Sequence, residues 1–164
     1  MSDLQPSEII AALEAPADDR RPVMHSLRED APAGALAAAL AAAEAPDTRQ
    51  LLADLLGFQA APAGVGALIA ALSDVEGRVR SAAADALGKV FMSHPELPER
   101  EAAGAALLAR IEVEPEVTTR TVLLTALGTT RHEPGRAALQ SALEDPDERI
   151  QKSARWALEH YPNG

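Results

Sequence analysis

The chain has 164 residues, which suits one domain or one short repeat array. It contains 36 Ala and 21 Leu but only four aromatic residues, a composition that favours helices and argues against sandwiches, barrels and doubly wound sheets. The absence of Cys excludes disulfides, cysteine-based zinc sites and thiol chemistry. The formal net charge is −10, with no basic stripe to displace counterions from a duplex, so we expect no nucleic-acid partner.

The N-terminal ten residues carry acidic side chains and no basic region, which is unlike a signal peptide. The longest weakly polar run, residues 31–43, spans 13 residues. This is shorter than the roughly 20 residues that cross a bilayer. We therefore expect a cytoplasmic protein with no membrane partner. The Arg-rich and Ala-rich composition is typical of a GC-rich bacterial genome.

Taken in chain order, helical patterns recur as five units, each with two helices and a short turn between them. The two most similar units run over residues 67–88 and 138–159, and they align without a gap. In the first of these, an apolar stripe passes through Val79, Ala83 and Leu87 at helical spacing. We predict a single domain over residues 1–164, with repeats at about 7–29, 32–58, 63–92, 98–129 and 134–161.

Residues typical of helix ends punctuate these units. Asp74 falls where a second helix begins, and an aspartate there can cap exposed backbone N–H groups. Gly57, Gly88 and Gly128 fall where a second helix is expected to end. The longer interval between the last two glycines predicts an insertion, which we place in an irregular loop over residues 91–97.

The pattern Ala-Leu-x-x-x-Leu-x-Asp, ending at Asp74, and then Val-Arg-x-x-Ala-x-x-Ala-Leu-Gly, ending at Gly88, resembles the HEAT-repeat family. It is most similar to the short bacterial subtype named after phycobilisome-type bilin lyases. The resemblance implies an all-α fold, an α-solenoid of about five two-helix repeats and about ten helices, and a binding role. It also implies a ladder in which an Asp after the first helix contacts an Arg early in the second. Asp74 and Arg80 match both positions, whereas Gln151 breaks the Arg column.

No arrangement of catalytic residues is visible in the sequence. The four His residues are scattered, and His132-Glu133 is a single His-Glu pair, whereas HEAT-type iron hydroxylases use several such pairs in matched repeats. Gly64-Val65-Gly66 lacks the rest of a phosphate-loop pattern. We therefore predict no catalytic residues, no metal site, no cofactor and a protein that is not an enzyme.

Equivalent positions on the exposed side of successive second helices form columns, which we call surface columns. These columns supply the candidate binding residues. The resemblance places these helices on the concave face of a solenoid, and here that face is acidic in its middle. Phe58 and Trp156 are aromatic anchors of the kind that protein interfaces favour. As alternatives, Phe58 is a core residue at a helix end, Trp156 and Tyr161 cap the terminal repeat, and the column of Asp54 and Asp85 is a solvated face. The predicted partner-binding residues are Asp54, Asp85, Phe58, Lys89, Thr121, Thr125, Lys152 and Trp156.

The sequence thus predicts a monomeric, non-catalytic scaffold that binds a protein partner through its concave face. Asp54 and Asp85 favour a basic partner. A first alternative is an acidic inhibitor or immunity-type protein that occludes a basic toxin or enzyme. A second alternative is a subunit of a bilin lyase-like or other modification enzyme.

Overall fold

A computed structural model describes residues 4–161, without the side chains of residues 17 and 19, so both ends of the predicted 1–164 domain lie outside it. Within residues 4–161 there are ten α-helices, one short 3₁₀ turn and no strand. The prediction of an all-α solenoid with about ten helices is confirmed. The helices are α1 (Pro6–Glu14), α2 (Ala17–Asp30), α3 (Ala33–Ala42), α4 (Pro46–Gln59), α5 (Val65–Ala71), α6 (Gly77–Ser93), α7 (Arg100–Val113), α8 (Val117–Thr130), α9 (Glu133–Ala142) and α10 (Glu148–Glu159).

The helices form two layers. The odd-numbered helices pack side by side in one layer and the even-numbered helices in the other, and each odd helix packs against the even helix that follows it. Among the described residues, no helix combines the length and apolar character needed to cross a membrane. Leucines fill the core between the layers, and Leu36, Leu56, Leu87, Leu107 and Leu127 are fully buried there.

Glycines let neighbouring helices of the even-numbered layer approach one another closely. A Cβ atom placed on Gly57 of α4 would lie 2.8 Å from the Cα atom of Ala86 in α6. A Cβ atom placed on Gly128 of α8 would lie 2.8 Å from the Cα atom of Ala157 in α10. Real Cβ atoms do not approach other atoms so closely, so the backbones of these helices are in contact at the two points.

The prediction that these glycines end their helices is wrong. Helices α4 and α8 continue beyond their glycines, and the left-handed residues that follow them are Ala60 (φ 47°) and Arg131 (φ 53°). Gly57 and Gly128 are required for close approach between helices, and not for a turn. Helix α6 also continues, through Ser93, so the predicted loop over residues 91–97 begins later and Phe91 is a buried helical residue.

A ladder of ion pairs joins the turns of successive units. Arg80 donates two hydrogen bonds of 2.7 Å to Glu114 of the next unit, and both side chains are buried. The same guanidinium donates to the carbonyl oxygens of Asp74 and Val75 in its own turn. Arg49 forms a similar two-bond pair with Asp74 at 2.6 and 3.0 Å. Each arginine therefore fixes its own turn and binds the following unit.

The structure changes the ladder that the family resemblance implied. The acidic partner of each arginine comes from the next unit, as Arg120 shows again with Asp145 at 3.1 Å. Glu114 occupies an acidic position that the sequence pattern missed, because an Asp was expected there. Gln151 keeps the contact to its own turn, since its amide donates to the carbonyl oxygen of Asp145 at 2.8 Å.

Two glycine-to-alanine variants distinguish the effect of close helix packing on stability from the effect of helix propensity. Gly57→Ala places a Cβ atom against the backbone of Ala86, so we expect a loss of about 1–3 kcal/mol in the free energy of unfolding. The matched control is Gly88→Ala, whose Cβ atom would meet Ala126 at an ordinary 3.6 Å. That variant keeps or gains up to about 1 kcal/mol, since Ala is the better helix former. Urea unfolding measures both, and equal stability of the two variants would contradict close packing at Gly57.

Because of the ion-pair ladder, the free energy of unfolding depends on pH in the acidic range. Burial disfavours the charged forms of Asp74 and Glu114, but hydrogen bonds from Arg49 and Arg80, together with backbone N–H donors and the nearby positive charge, outweigh it and lower the pKa of both carboxyl groups. Their contribution to stability is present above the unfolded pKa values, which are about 3.9 for Asp and 4.3 for Glu. It is lost as the pH falls through the lower folded values. Urea unfolding across this range is expected to show stability that decreases below about pH 4.

The Arg80→Met variant tests the buried pair itself. It leaves Glu114 buried without its main partner, so we expect a loss of about 3–5 kcal/mol and a weaker dependence on acidic pH. Lys152→Met is the control, because the pair between Lys152 and Glu148 is exposed. Its loss should stay within about 0.5 kcal/mol. Similar losses in the two variants would show that the buried ion pair contributes no more to stability than the exposed one.

Candidate functional site

Three hollows follow one another along the layer of even-numbered helices. The first, of about 430 Å³, lies over α4, α6 and α8, and it shares Asp85 and Val122 with a second hollow of about 320 Å³. The second shares Met92, Thr129 and Trp156 with a third of about 180 Å³, so the three form one continuous depression. We call it the second-helix trough, and we define it by Asp54, Asp85, Met92, Val122, Thr129 and Trp156.

One end of the trough is acidic. Asp54 of α4, Asp85 of α6 and Glu116 before α8 line the first hollow, together with Arg78, whose charge is paired with Asp47. Lys89 pairs with Asp85 at 2.6 Å. Burial raises the pKa of Asp54, Lys89 lowers it and the neighbouring Asp85 raises it again, with a net rise. Asp54 is nonetheless exposed at the surface, and the positive charge of Lys89 does not offset the two influences that raise its pKa.

The other end of the trough is apolar. Met92, in the last turn of α6, is 64% exposed and lines the second and third hollows, as half-buried Trp156 does. Half-buried Val122 lines the second hollow and also the first. The imidazole of His160 stacks on the indole of Trp156 with ring centroids 4.0 Å apart. Arg131 adds a cation to the third hollow. This end therefore offers aromatic and thioether surface with polar groups at its edge.

The structure brings together some of the predicted binding residues and separates others. Thr121, Lys152 and Phe58 lie on the same helix layer but outside the three hollows. The hydroxyl of Thr121 donates to the carbonyl oxygen of Thr118 at 2.6 Å, and Lys152 pairs with Glu148. Five predicted residues line the trough, namely Asp54, Asp85, Lys89, Thr125 and Trp156.

The two aromatic anchors have different surroundings. Phe58 is 48% exposed, so the alternative that it is a core residue is wrong. The guanidinium carbon of Arg28 lies 3.1 Å from the centroid of its ring, a cation–π contact between α2 and α4. Trp156 is half-buried and packs against the core while also lining the trough. Tyr161, near the end of the chain, is a buried aromatic residue.

Sequence reasoning missed the apolar part of the trough. Met92 lies three residues after Lys89 on the same helix, but the loop predicted over residues 91–97 removed it from the surface column. Val122 was missed because the columns selected its neighbours, Thr121 and Thr125. The signal was the helical periodicity of α6, which continues one turn beyond the point where the sequence interpretation ended it.

Across residues 4–161, no group of three or more His, Asp or Glu side chains is placed to hold a metal ion. The Nδ1 atom of His132 lies 2.9 Å from a carboxylate oxygen of Glu101 and joins the turn before α9 to α7. What the trough offers is a shaped surface with an acidic end and an apolar end. Such a surface can bind and orient a partner.

Comparison with known proteins places the fold. No family model matches the chain, and no curated protein matches it. Among solved structures, the chain is similar to the complex of CpcE and CpcF of phycocyanin lyase from Nostoc sp. PCC7120, with a TM-score of 0.72 and 24% identity. The match covers 98% of this chain and 66% of the other. This chain shares that helical-repeat fold.

The match contradicts the prediction that the protein is not an enzyme. That prediction rested on the absence of a catalytic motif, yet a chain of the same fold belongs to a lyase. The physical reason is that a subunit can contribute to catalysis by positioning reactants, which requires no nucleophile of its own. The absence of a catalytic motif in this sequence is therefore no argument against an enzymatic role.

The electrostatics of the acidic end can be tested by carboxyl ¹³C NMR titration. Lys89 lowers the pKa of Asp54, so Lys89→Met should raise that pKa further above its usual range. Asp85 raises it, so Asp85→Asn should lower it. Identical Asp54 titrations in the wild type and both variants would show that these groups do not share one electrostatic site.

Proposed function

We propose that the protein is a subunit of a bilin lyase-like or related modification enzyme, and that it holds a protein partner in the second-helix trough. The observation that carries this proposal is the similarity to the phycocyanin lyase complex along 98% of the chain. That structure is a complex of CpcE and CpcF, which supports a role beside a protein partner. The trough supplies the surface for it.

The chemistry of the chain limits its part in such a reaction. The sequence has no Cys, so no thiol of this chain can accept or carry a bilin. The trough contains carboxylates, hydroxyls and apolar surface, which bind and orient groups. We infer that the partner supplies the residue to be modified and that this chain holds the partner in position. Fixing two reactants in this way accelerates their reaction without further chemistry.

The charge of the chain favours a basic partner. The net charge is −10, and Asp54 and Asp85 place acidic groups in the trough itself. Opposite charges speed the encounter of two proteins and select among partners. We propose that the protein is a monomer until it meets this partner, and that the two meet in the cytoplasm.

A reconstituted attachment reaction tests the proposal. Apo-phycocyanin and a bilin are incubated with CpcE and CpcF, and then with this protein in place of each subunit in turn. We expect visible absorption that stays with the acceptor protein after denaturation when this chain replaces one of the two. Absence of attached bilin with both replacements would reject a lyase-like role.

A charge-reversal pair tests the place of the trough in that reaction. Asp54→Lys/Asp85→Lys should slow attachment at least about tenfold, since two repulsive contacts replace two favourable ones. Glu112→Lys/Glu144→Lys is the matched control, with the same change in charge at exposed residues outside the trough. Equal rates for the two double variants would contradict binding at the acidic end.

A further inference from the structure

We propose that the second-helix trough binds an amphipathic helix of the partner, with apolar side chains against Met92, Val122 and Trp156 and a basic side chain beside Asp54 and Asp85. The inference rests on the proposed function in one respect, namely that the partner is a protein. It adds the conformation, the length and the charge pattern of the segment that is recognised.

The dimensions of the trough fit a helix of moderate length. The trough crosses four helices, α4, α6, α8 and α10, of which each packs against the next. Packed helices lie about 8–10 Å apart, so three spacings cover about 24–30 Å. At 1.5 Å per residue, a helix of about 16–20 residues has this length. Such a helix would lie across the even-numbered helices.

The apolar end provides the anchor sites. The second hollow has Gly88 and Ala126 among its lining residues, and these small residues leave room for a side chain from outside. Met92 is 64% exposed although it is apolar, and Trp156 lines the second and third hollows. Methionine adapts its shape to different apolar groups and is common on surfaces that bind amphipathic helices.

Charge complementarity determines which amphipathic helix fits. At the acidic end, Lys89 forms an ion pair with Asp85, whereas no cation of the described residues forms one with Asp54. Glu116 adds a third carboxylate to the same hollow, and Arg80 approaches it to 3.8 Å, so Asp54 is the carboxylate of this hollow without a paired cation. An arginine or lysine from the partner would supply the positive charge that Asp54 lacks. A second copy of this chain is disfavoured as the occupant, because each copy carries a net charge of −10.

Two synthetic peptides test the proposal on the full-length protein. The first is a helical peptide of about 18 residues, with leucines on one face, arginines at one end and no aromatic residue. The second replaces those arginines with glutamates. Binding is followed by the fluorescence of Trp156, the only tryptophan of the chain, and by the anisotropy of a dye on the peptide. We expect the arginine peptide to shift the emission of Trp156 to the blue and to bind at least about tenfold more tightly than its twin.

Variants locate the binding. Asp54→Asn/Asp85→Asn should weaken binding of the arginine peptide several-fold, while Glu112→Gln/Glu144→Gln, the matched control outside the trough, should leave it unchanged. Val122→Glu places a charge in the apolar end and should abolish binding of the peptide. Circular dichroism confirms that each variant folds, and anisotropy reports binding independently of the indole.

Several results would overturn the proposal. These are equal binding of the two peptides, unchanged binding to Asp54→Asn/Asp85→Asn, no binding of the arginine peptide, or self-association of the protein that Val122→Glu abolishes. A small apolar molecule that binds beside Trp156 shifts its emission. If such a molecule does not displace the peptide, the peptide does not occupy the apolar end, and that end is assigned to the small molecule instead. Failure of bilin attachment with intact peptide binding rejects the proposed function alone, and failure of peptide binding with intact attachment rejects this inference alone.

Discussion

Backbone contact between glycine and alanine on neighbouring even-numbered helices is the constraint on which the rest of the structure depends. Gly57 meets Ala86 and Gly128 meets Ala157 without space for one further carbon atom. Because the backbones touch, the side chains that flank these contacts stand on one shared surface. Asp85 precedes Ala86 by one residue, so the trough is a direct consequence of how the helices stack.

The junction between α2 and α4 lacks this backbone contact. Arg28 occupies the position in α2 that corresponds to Gly57 in α4, and its guanidinium stacks on Phe58. The side-chain amide of Gln59 donates to the carbonyl oxygens of Leu27, Arg28 and Ala31, at 3.4, 3.4 and 2.9 Å. Side-chain contacts therefore replace backbone contact between α2 and α4. The trough begins only at α4, where the closely stacked helices start.

The fold was largely predictable from the sequence, because the repeat has a strong periodic signal. The stripe through Val79, Ala83 and Leu87 and the recurring Arg column are local patterns, and local patterns are visible without a structure. The role of the glycines was not predictable in the same way. A glycine near a helix end suits both a left-handed cap and a close helix contact, and only the position of the next helix distinguishes them.

The trough was predictable only in part, for a related reason. Surface columns selected Asp54, Asp85 and Trp156, which line the trough, since the exposed side of the second helices repeats along the chain. They missed Met92, because the length of α6 depends on the packing of Phe91 in the core. The acidic partner of Arg80 was also missed, since it belongs to the next unit and lies 34 residues away.

The most direct test of the account is methyl NMR of the full chain during titration with the arginine peptide. Met92 and Val122 lie in the trough, whereas Val75, in the turn before α6, and Val113, at the end of α7, are exposed by 86% and 66% and line none of its hollows. If the stacked even-numbered helices form the binding surface, the methyl signals of Met92 and Val122 shift and those of Val75 and Val113 stay in place. Shifts confined to Val75 and Val113 would contradict the account.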